Sequence, residues 1–358
     1  MTSLDHSVEH RPFYCPQPSA VHPHAAEAER DAIAWMDRVG LWANDKQRKR
    51  LIGTNSAEFF SRFAPRANPD GLQVAVRWVY WGFIFDDLRC DSGELSDRPH
   101  EFLRMAGETQ RALESPWHPV VDDPLVTALQ DIARSMRECA TPVQAQRFVH
   151  AHRSWLYAVA WQTANRAQGR MPGLDEYTIM RSNSAGGEPT LALLEIANGN
   201  EVPGAEMDSP PIRALTEMTI LIASWDNDLH SHAKESRENH TEQNIVNVLM
   251  HQHGVGESAA VEQAHTLRDR VMARFLQLRA NVLSRPCSPA LREYLACLGH
   301  AIRGNIDWAL NVPRYTAADG SPPTVPLPRA EAVWASDPND ITAEALPIPA
   351  ITWWWGEL

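Results

Sequence analysis

The chain has 358 residues, is 44% hydrophobic and carries a formal net charge of −12. That length can bury a large core, and the acidic balance excludes a general nucleic-acid or anionic-membrane surface, so an anionic ligand needs local rescue by metal ions or a few placed arginines. No apolar run reaches membrane-spanning length and no secretory signal opens the chain, while the five cysteines (Cys15, Cys90, Cys139, Cys287, Cys297) form no CxxC and read as reduced thiols of a cytoplasmic protein.

Residues 1–24 are rich in Pro and His, lack a helical period and read as an extended arm. Helical patterns follow at about 25–42, 45–64, 71–88, 97–114, 123–138, 142–169, 173–199, 209–234, 239–253, 256–284 and 289–312. Asp123-Pro124, Thr141-Pro142, Ser209-Pro210 and Ser288-Pro289 each place an oxygen-bearing cap before a proline at the first helical position. No strand-and-hairpin series and no fixed repeat is present. The expected fold is therefore all-α: one domain over residues 25–315, its helices bundled around a central cavity. Residues 316–358 are Pro-rich and end in Trp353-Trp354-Trp355, an irregular tail whose tryptophans need a surface to cover. Thirteen tryptophans is a high count. Most of those in helices serve as core; some are suited to wall a pocket for something apolar or cationic.

Two polar clusters close long apolar helices. In the first, Asp86-Asp87 follows an aromatic run and Asp91 comes four residues after Asp87, which places Asp87 and Asp91 on one helix face. Carboxylates at a helix C-terminus oppose its dipole, a strain that magnesium relieves because it takes oxygen ligands. In the second, Asn227, Ser231 and Glu235 recur at i, i+4 and i+8, lining up an amide oxygen, a hydroxyl and a carboxylate on one stripe. Such a set suits a hard cation. Lys234 and Arg237 add positive charge where a bridging anion would sit. His230 and His232 are two apart, point to different sides and read as surface histidines.

The two clusters resemble the DDxxxD and NDxxSxxKE signatures of bacterial class I terpene synthases. Arg181, 46 residues before Asn227, stands where that family has a diphosphate-sensing arginine, and Arg314-Tyr315 matches its terminal Arg-Tyr pair. The resemblance implies an all-α cyclase with metal clusters at the mouth of an apolar cavity, about three Mg2+ per site and a possible homodimer. It further implies Asp86, Asp87, Asp91, Asn227, Ser231 and Glu235 as metal ligands, and Arg181, Lys234, Arg314 and Tyr315 as the diphosphate grip. Phe83, Trp308 and Trp78 are the expected cavity walls. Trp78, Trp81 and Phe85 cannot all face the cavity.

Ser184 and Ala185 stand where the family often has an acid or Thr and then Gly, next to the helix break. Gly186-Gly187 offers an alternative place for that break, so the sequence leaves open which carbonyl faces the substrate. The implied reaction is ionisation of a linear prenyl diphosphate followed by cyclisation of the carbocation, with farnesyl diphosphate favoured and geranylgeranyl diphosphate close behind. A linear trans-prenyltransferase and a non-catalytic helical isoprenoid-binding protein are the alternatives. The former expects a second Asp-rich motif where this chain has Asn-Ser-Glu.

Overall fold

The computed structural model describes residues 12–91, 93–237, 243–317, 320–322 and 329–357; for Asp91 and residues 233–237 it describes the backbone alone. The helices are α1 (Ala25–Val39), α2 (Asp45–Ile52), α3 (Ser56–Phe63), α4 (Pro69–Phe85), α5 (Pro99–Glu114), α6 (Pro124–Cys139), α7 (Pro142–Ala167), α8 (Leu174–Ser184), α9 (Gly187–Asn198), α10 (Gly204–Met207), α11 (Pro210–Arg237), α12 (Ile245–His253), α13 (Glu257–Leu283), α14 (Pro289–Ala309) and α15 (Pro313–Thr316). A 3-10 segment, Pro349–Gly356, closes the tail. No helix of the described residues is long and apolar enough to cross a membrane.

Side-chain caps start several of the helices. Asp123 accepts from Leu125 N at 2.8 Å, Thr141 and Gln144 form a capping box, and Ser288 accepts from Leu291 N at 3.1 Å. Ser209 departs from the expectation: its hydroxyl donates to Glu206 O at 2.6 Å. Helix α11 lies between α13 and α14, and α4 packs on α9, α6 and α1. Helices α4, α9, α11 and α14, with α3, α7 and α8, line a cavity.

Three predicted helices are broken, each at a place that serves the cavity. The stretch 45–64 splits at Gly53–Asn55, where Asn55 has φ 46°, the positive-φ non-glycine residue among those described. The buried Thr54 carbonyl accepts from Trp308 Nε1 at 2.8 Å, which fixes a wall tryptophan. The stretch 173–199 splits at Ala185–Gly186, with Gly186 at φ 70°. Finally, residues 86–91 wind as a π-helix and not as the last turn of α4. The α-helical spacing used to place Asp87 and Asp91 on one face therefore does not hold. The predicted start of α12 at 239 lies outside the described residues.

The arm and the tail meet on the back of α11 and α13. Phe13 N donates to Val333 O and Ala335 N to Phe13 O, both at 3.0 Å. Arg268, fully buried, donates to Asp226 at 2.8 Å and to Asp269 at 3.1 Å, and its guanidinium lies 5.5 Å from the Phe13 ring. His230 stacks on Phe13, ring centroids 5.4 Å apart, and His232 is buried against Asn247. Neither is the surface histidine expected: the arm lies on His230, and Asn247 of α12 and Glu257 of α13 stand against His232. The tail tryptophans also find their surface. Trp354 is buried, donates to Glu217 at 2.9 Å, and its carbonyl accepts from Arg274 at 2.8 Å.

Candidate active site

The cavity is apolar below and charged at its mouth. Its floor and walls include Phe59, Phe63, Phe83, Trp78, Trp155 and Trp308. Phe83 and Trp308 stack at 5.7 Å, and Trp78 meets Trp155 edge-on at 5.9 Å. All three expected wall residues thus line it. Trp81 and Phe85 do not; they stack on each other in the core, with Trp81 Nε1 donating to Leu125 O. The wall hydroxyls of Thr190, Thr219 and Ser224 turn back onto the carbonyls of Gly186, Leu215 and Ile220, which leaves methyl and methylene surface facing in.

At the mouth, Asp86, Asp87, Arg181, Asn227, Ser231, Arg314 and Tyr315 converge from four segments. Arg181 Nη2 donates to Asp228 Oδ1 at 2.7 Å and to Asn227 Oδ1 at 3.1 Å. The Asn227 amide nitrogen donates to Tyr315 OH at 2.6 Å. Asp87 lies between two arginines, Arg314 at 2.8 Å and Arg50 at 3.3 Å. The side chains of Asp91, Lys234 and Glu235 lie outside the described residues. Among those described, no three His, Cys, Asp or Glu side chains form one cluster. The donors that do converge are carboxylate, amide and hydroxyl oxygens from Asp86, Asp87, Asn227 and Ser231, without a thiolate or imidazole. That donor chemistry fits magnesium.

The break after Arg181 has a local cause. Helix α8 ends at Ser184, and four residues beyond Ala185 stands Pro189, which has no N–H to give to the Ala185 carbonyl. The preceding Ser184 carbonyl accepts from Trp155 Nε1 at 3.2 Å. Gly187 is needed for close packing and not for open space, since a methyl group there would lie 2.7 Å from Ile220.

Several participants are given no role by the sequence reading. Asp228, buried within the second motif, accepts from Tyr177 OH and, at 2.9 Å, from Ile245 N, and so fixes Arg181. Burial pushes its carboxyl pKa up, an effect that Arg181 opposes. Burial also holds the Tyr177 phenol well above its usual value, so it is a donor. Tyr177 precedes Arg181 by four residues, a same-face spacing legible in the sequence. Arg166 continues the α7 stripe of Trp155, Val159 and Gln162 and donates to Cys90 O at 2.7 Å and Ser96 O at 2.9 Å, bracing the π-helix.

Behind Trp78 and Trp155 lies His152, fully buried among aromatic rings. Its Nδ1 faces Gln110 Oε1 at 3.0 Å, and the Gln110 amide nitrogen is engaged elsewhere, so Nδ1 carries the proton. Burial lowers the His152 pKa to about 3. The unfolded chain, with an ordinary value of about 6.5, binds the proton first as pH falls. Stability is therefore lost as pH drops through the window from about 6.5 to 3, by about 2 kcal/mol at pH 5. Urea unfolding at pH 7.5 and pH 5 is expected to show a pH-dependent loss smaller by about that amount in His152→Gln than in the wild type. Equal losses would remove His152 from the acid sensitivity.

Comparison with known proteins bears on this geometry. Residues 77–274 match the model of terpene synthase family 2, C-terminal metal binding. Over 349 residues, 97% of this chain and 96% of the other, the sequence is 45% identical to spiroviolene synthase of Streptomyces violens. It is 35% identical to phomopsene synthase of Allokutzneria albata, covering 97% of each. A crystal structure of the SVS_A2 protein from ancestral sequence reconstruction superposes with a TM-score of 0.88 at 48% identity, covering 97% of this chain and 98% of that one. With an all-α fold, two polar motifs meeting at the mouth of an aromatic cavity, and relatives matched along nearly their whole length, the chain belongs to the bacterial class I terpene synthases.

Proposed function

We propose that the protein is a magnesium-dependent cyclase that ionises a linear prenyl diphosphate and folds the resulting carbocation into a ring product. The observation that carries this reading is the convergence of Arg181, Arg314, Asn227 and Asp86 above a cavity walled by Phe83, Trp78, Trp155 and Trp308. Asp86, Asp87, Asn227 and Ser231, with Asp91 and Glu235 by resemblance, would hold the metal. Bound magnesium would neutralise charge building on the leaving diphosphate.

The chain's own groups have separate tasks. Arg181, Arg314 and Tyr315, with Lys234 by resemblance, grip the diphosphate and stabilise it as the C–O bond breaks. The Ala185 carbonyl, left without a helical partner by Pro189, presents negative partial charge to the allylic carbon. The aromatic faces tolerate the cation without reacting. Closing the mouth excludes water, and the final proton passes to the released diphosphate.

The cavity walls bear on chain length. The sequence reading put farnesyl diphosphate first. Around the cavity, Gly82, Ala185, Ala223 and Ala301 contribute little volume from three helices and the α8–α9 break, and a methyl group at Gly82 would meet nothing within 4 Å. This supports geranylgeranyl diphosphate as the preferred substrate. One further isoprene unit gains several kcal/mol at roughly 0.8 kcal/mol per buried CH₂.

Incubation with geranyl, farnesyl and geranylgeranyl diphosphates in Mg2+, read by gas chromatography, tests both levels. A dominant cyclic C20 hydrocarbon or alcohol, lost on addition of EDTA, is expected. A dominant C15 product would restore farnesyl diphosphate. Linear products alone, or turnover in excess EDTA, would refute the cyclase reading.

A further inference from the structure

We propose that Arg50 is a third arginine of the diphosphate grip, acting beside Arg181 and Arg314; this rests on the cyclase reading. Arg50 sits in the last turn of α2, before the segment that the family model matches, and its side chain reaches the cavity mouth. Its Nε lies 3.3 Å from Asp87 Oδ2, while Arg314 Nη1 lies 2.8 Å from Oδ1 of the same carboxylate. One carboxylate thus faces two guanidinium groups at the cavity mouth.

A built contact brings Arg50 there. The break after α2 sets Gly53 so close to the Gly320 carbonyl that a methyl group on Gly53 would lie 2.3 Å from it. Gly320, at φ 68°, packs between the two arginines: a methyl group on it would meet Arg50 Cγ at 3.5 Å and Arg314 Cα at 3.9 Å. Two glycines in close approach therefore fix the spacing of the two cations. The Arg50 side chain is 46% exposed, and an ion pair this exposed is weakly held. A multiply charged anion at the mouth competes with Asp87 for it, and the planar fork suits two diphosphate oxygens at once. No local period or motif ties Arg50 to the site, which is why sequence patterns pass it over.

Titration calorimetry with inorganic pyrophosphate in Mg2+, on wild type, Arg50→Ala and Arg50→Lys, tests this directly. Arg50→Ala is expected to weaken pyrophosphate binding about tenfold and to raise KM for the prenyl diphosphate in parallel, with an unchanged melting temperature. Arg50→Lys should recover part of the affinity, because it keeps the charge but not the fork. If Arg50→Ala binds pyrophosphate within twofold of wild type, the proposal fails, including the case where kcat alone falls because Asp87 has lost an anchor. If wild type itself binds no pyrophosphate, the cyclase reading fails and the proposal falls with it.

Discussion

Arg181→Ala is expected to lower kcat/KM by about a thousandfold or more. The reason is that the guanidinium acts where charge develops as the diphosphate leaves, in a site from which water is excluded. Single donors and arginines so placed contribute about 10²–10⁵ in rate. From sequence alone the residue reads as a side chain at a free polar mouth, whose truncation leaves the fold untouched. The structure modifies that. Arg181 is the cation opposite buried Asp228 at 2.7 Å, so its removal also leaves a carboxylate without its charge partner. The carboxyl, already pushed up by burial, is expected to protonate and keep its bond with Tyr177. Thermal melting should therefore fall modestly while turnover collapses. Arg181→Lys separates the two effects: charge on Asp228 is retained and stability recovers, but the bidentate geometry is lost and kcat stays low. Near wild-type kcat/KM in Arg181→Ala would remove this residue from the reaction. Asn227→Ala, which deletes one acceptor of Arg181 and the Tyr315 contact, is expected to be similarly inactive with a smaller change in melting.

The contrast between Arg181 and Asp228 shows what the sequence carries. Most helix periods, the caps before proline at Asp123, Thr141 and Ser288, and the i, i+4 spacing of Asn227 and Ser231 are local, and the structure keeps them. The motif residues Asp86, Arg181, Asn227, Ser231 and Arg314 were all legible, and they line one cavity. What was hidden depends on contacts distant in the chain. Arg50 meets Asp87 from another helix, beside the close approach of Gly53 and Gly320. His230 is half-buried, with Phe13, 217 residues earlier, stacked on it. The π winding of 86–91 was equally hidden, because a helical hydrophobic pattern does not distinguish i→i+4 from i→i+5 bonding over one turn. Pro189 is a different case: its missing N–H could have placed the break after Arg181, and the Gly186-Gly187 pair drew attention away from it.

Asp228→Ala is expected to cost about 3–5 kcal/mol of stability, because it strands a buried phenol and a backbone N–H and takes the carboxylate away from Arg181. That variant alone cannot tell a structural role from a functional one, so the decisive substitution is Asp228→Asn. It keeps the shape and one acceptor oxygen and should fold. It removes the charge that holds Arg181, and its amide nitrogen faces either Tyr177 OH or Arg181, both donors. Arg181 is then free to leave the position from which it meets the diphosphate. The expectation is a kcat lowered about a hundredfold with KM changed far less, because anchoring matters most where the charge develops. Acid should reproduce the same loss in the wild type. Burial raises the Asp228 pKa, so it protonates at a higher pH than an exposed carboxylate, and activity falls as pH drops through that range. Asp228→Asn should lack this acidic limb. If Asp228→Asn keeps kcat within about threefold of wild type and retains the wild-type pH profile, Arg181 needs no anchor, and the buried carboxylate serves only to hold α8, α11 and the start of α12 together.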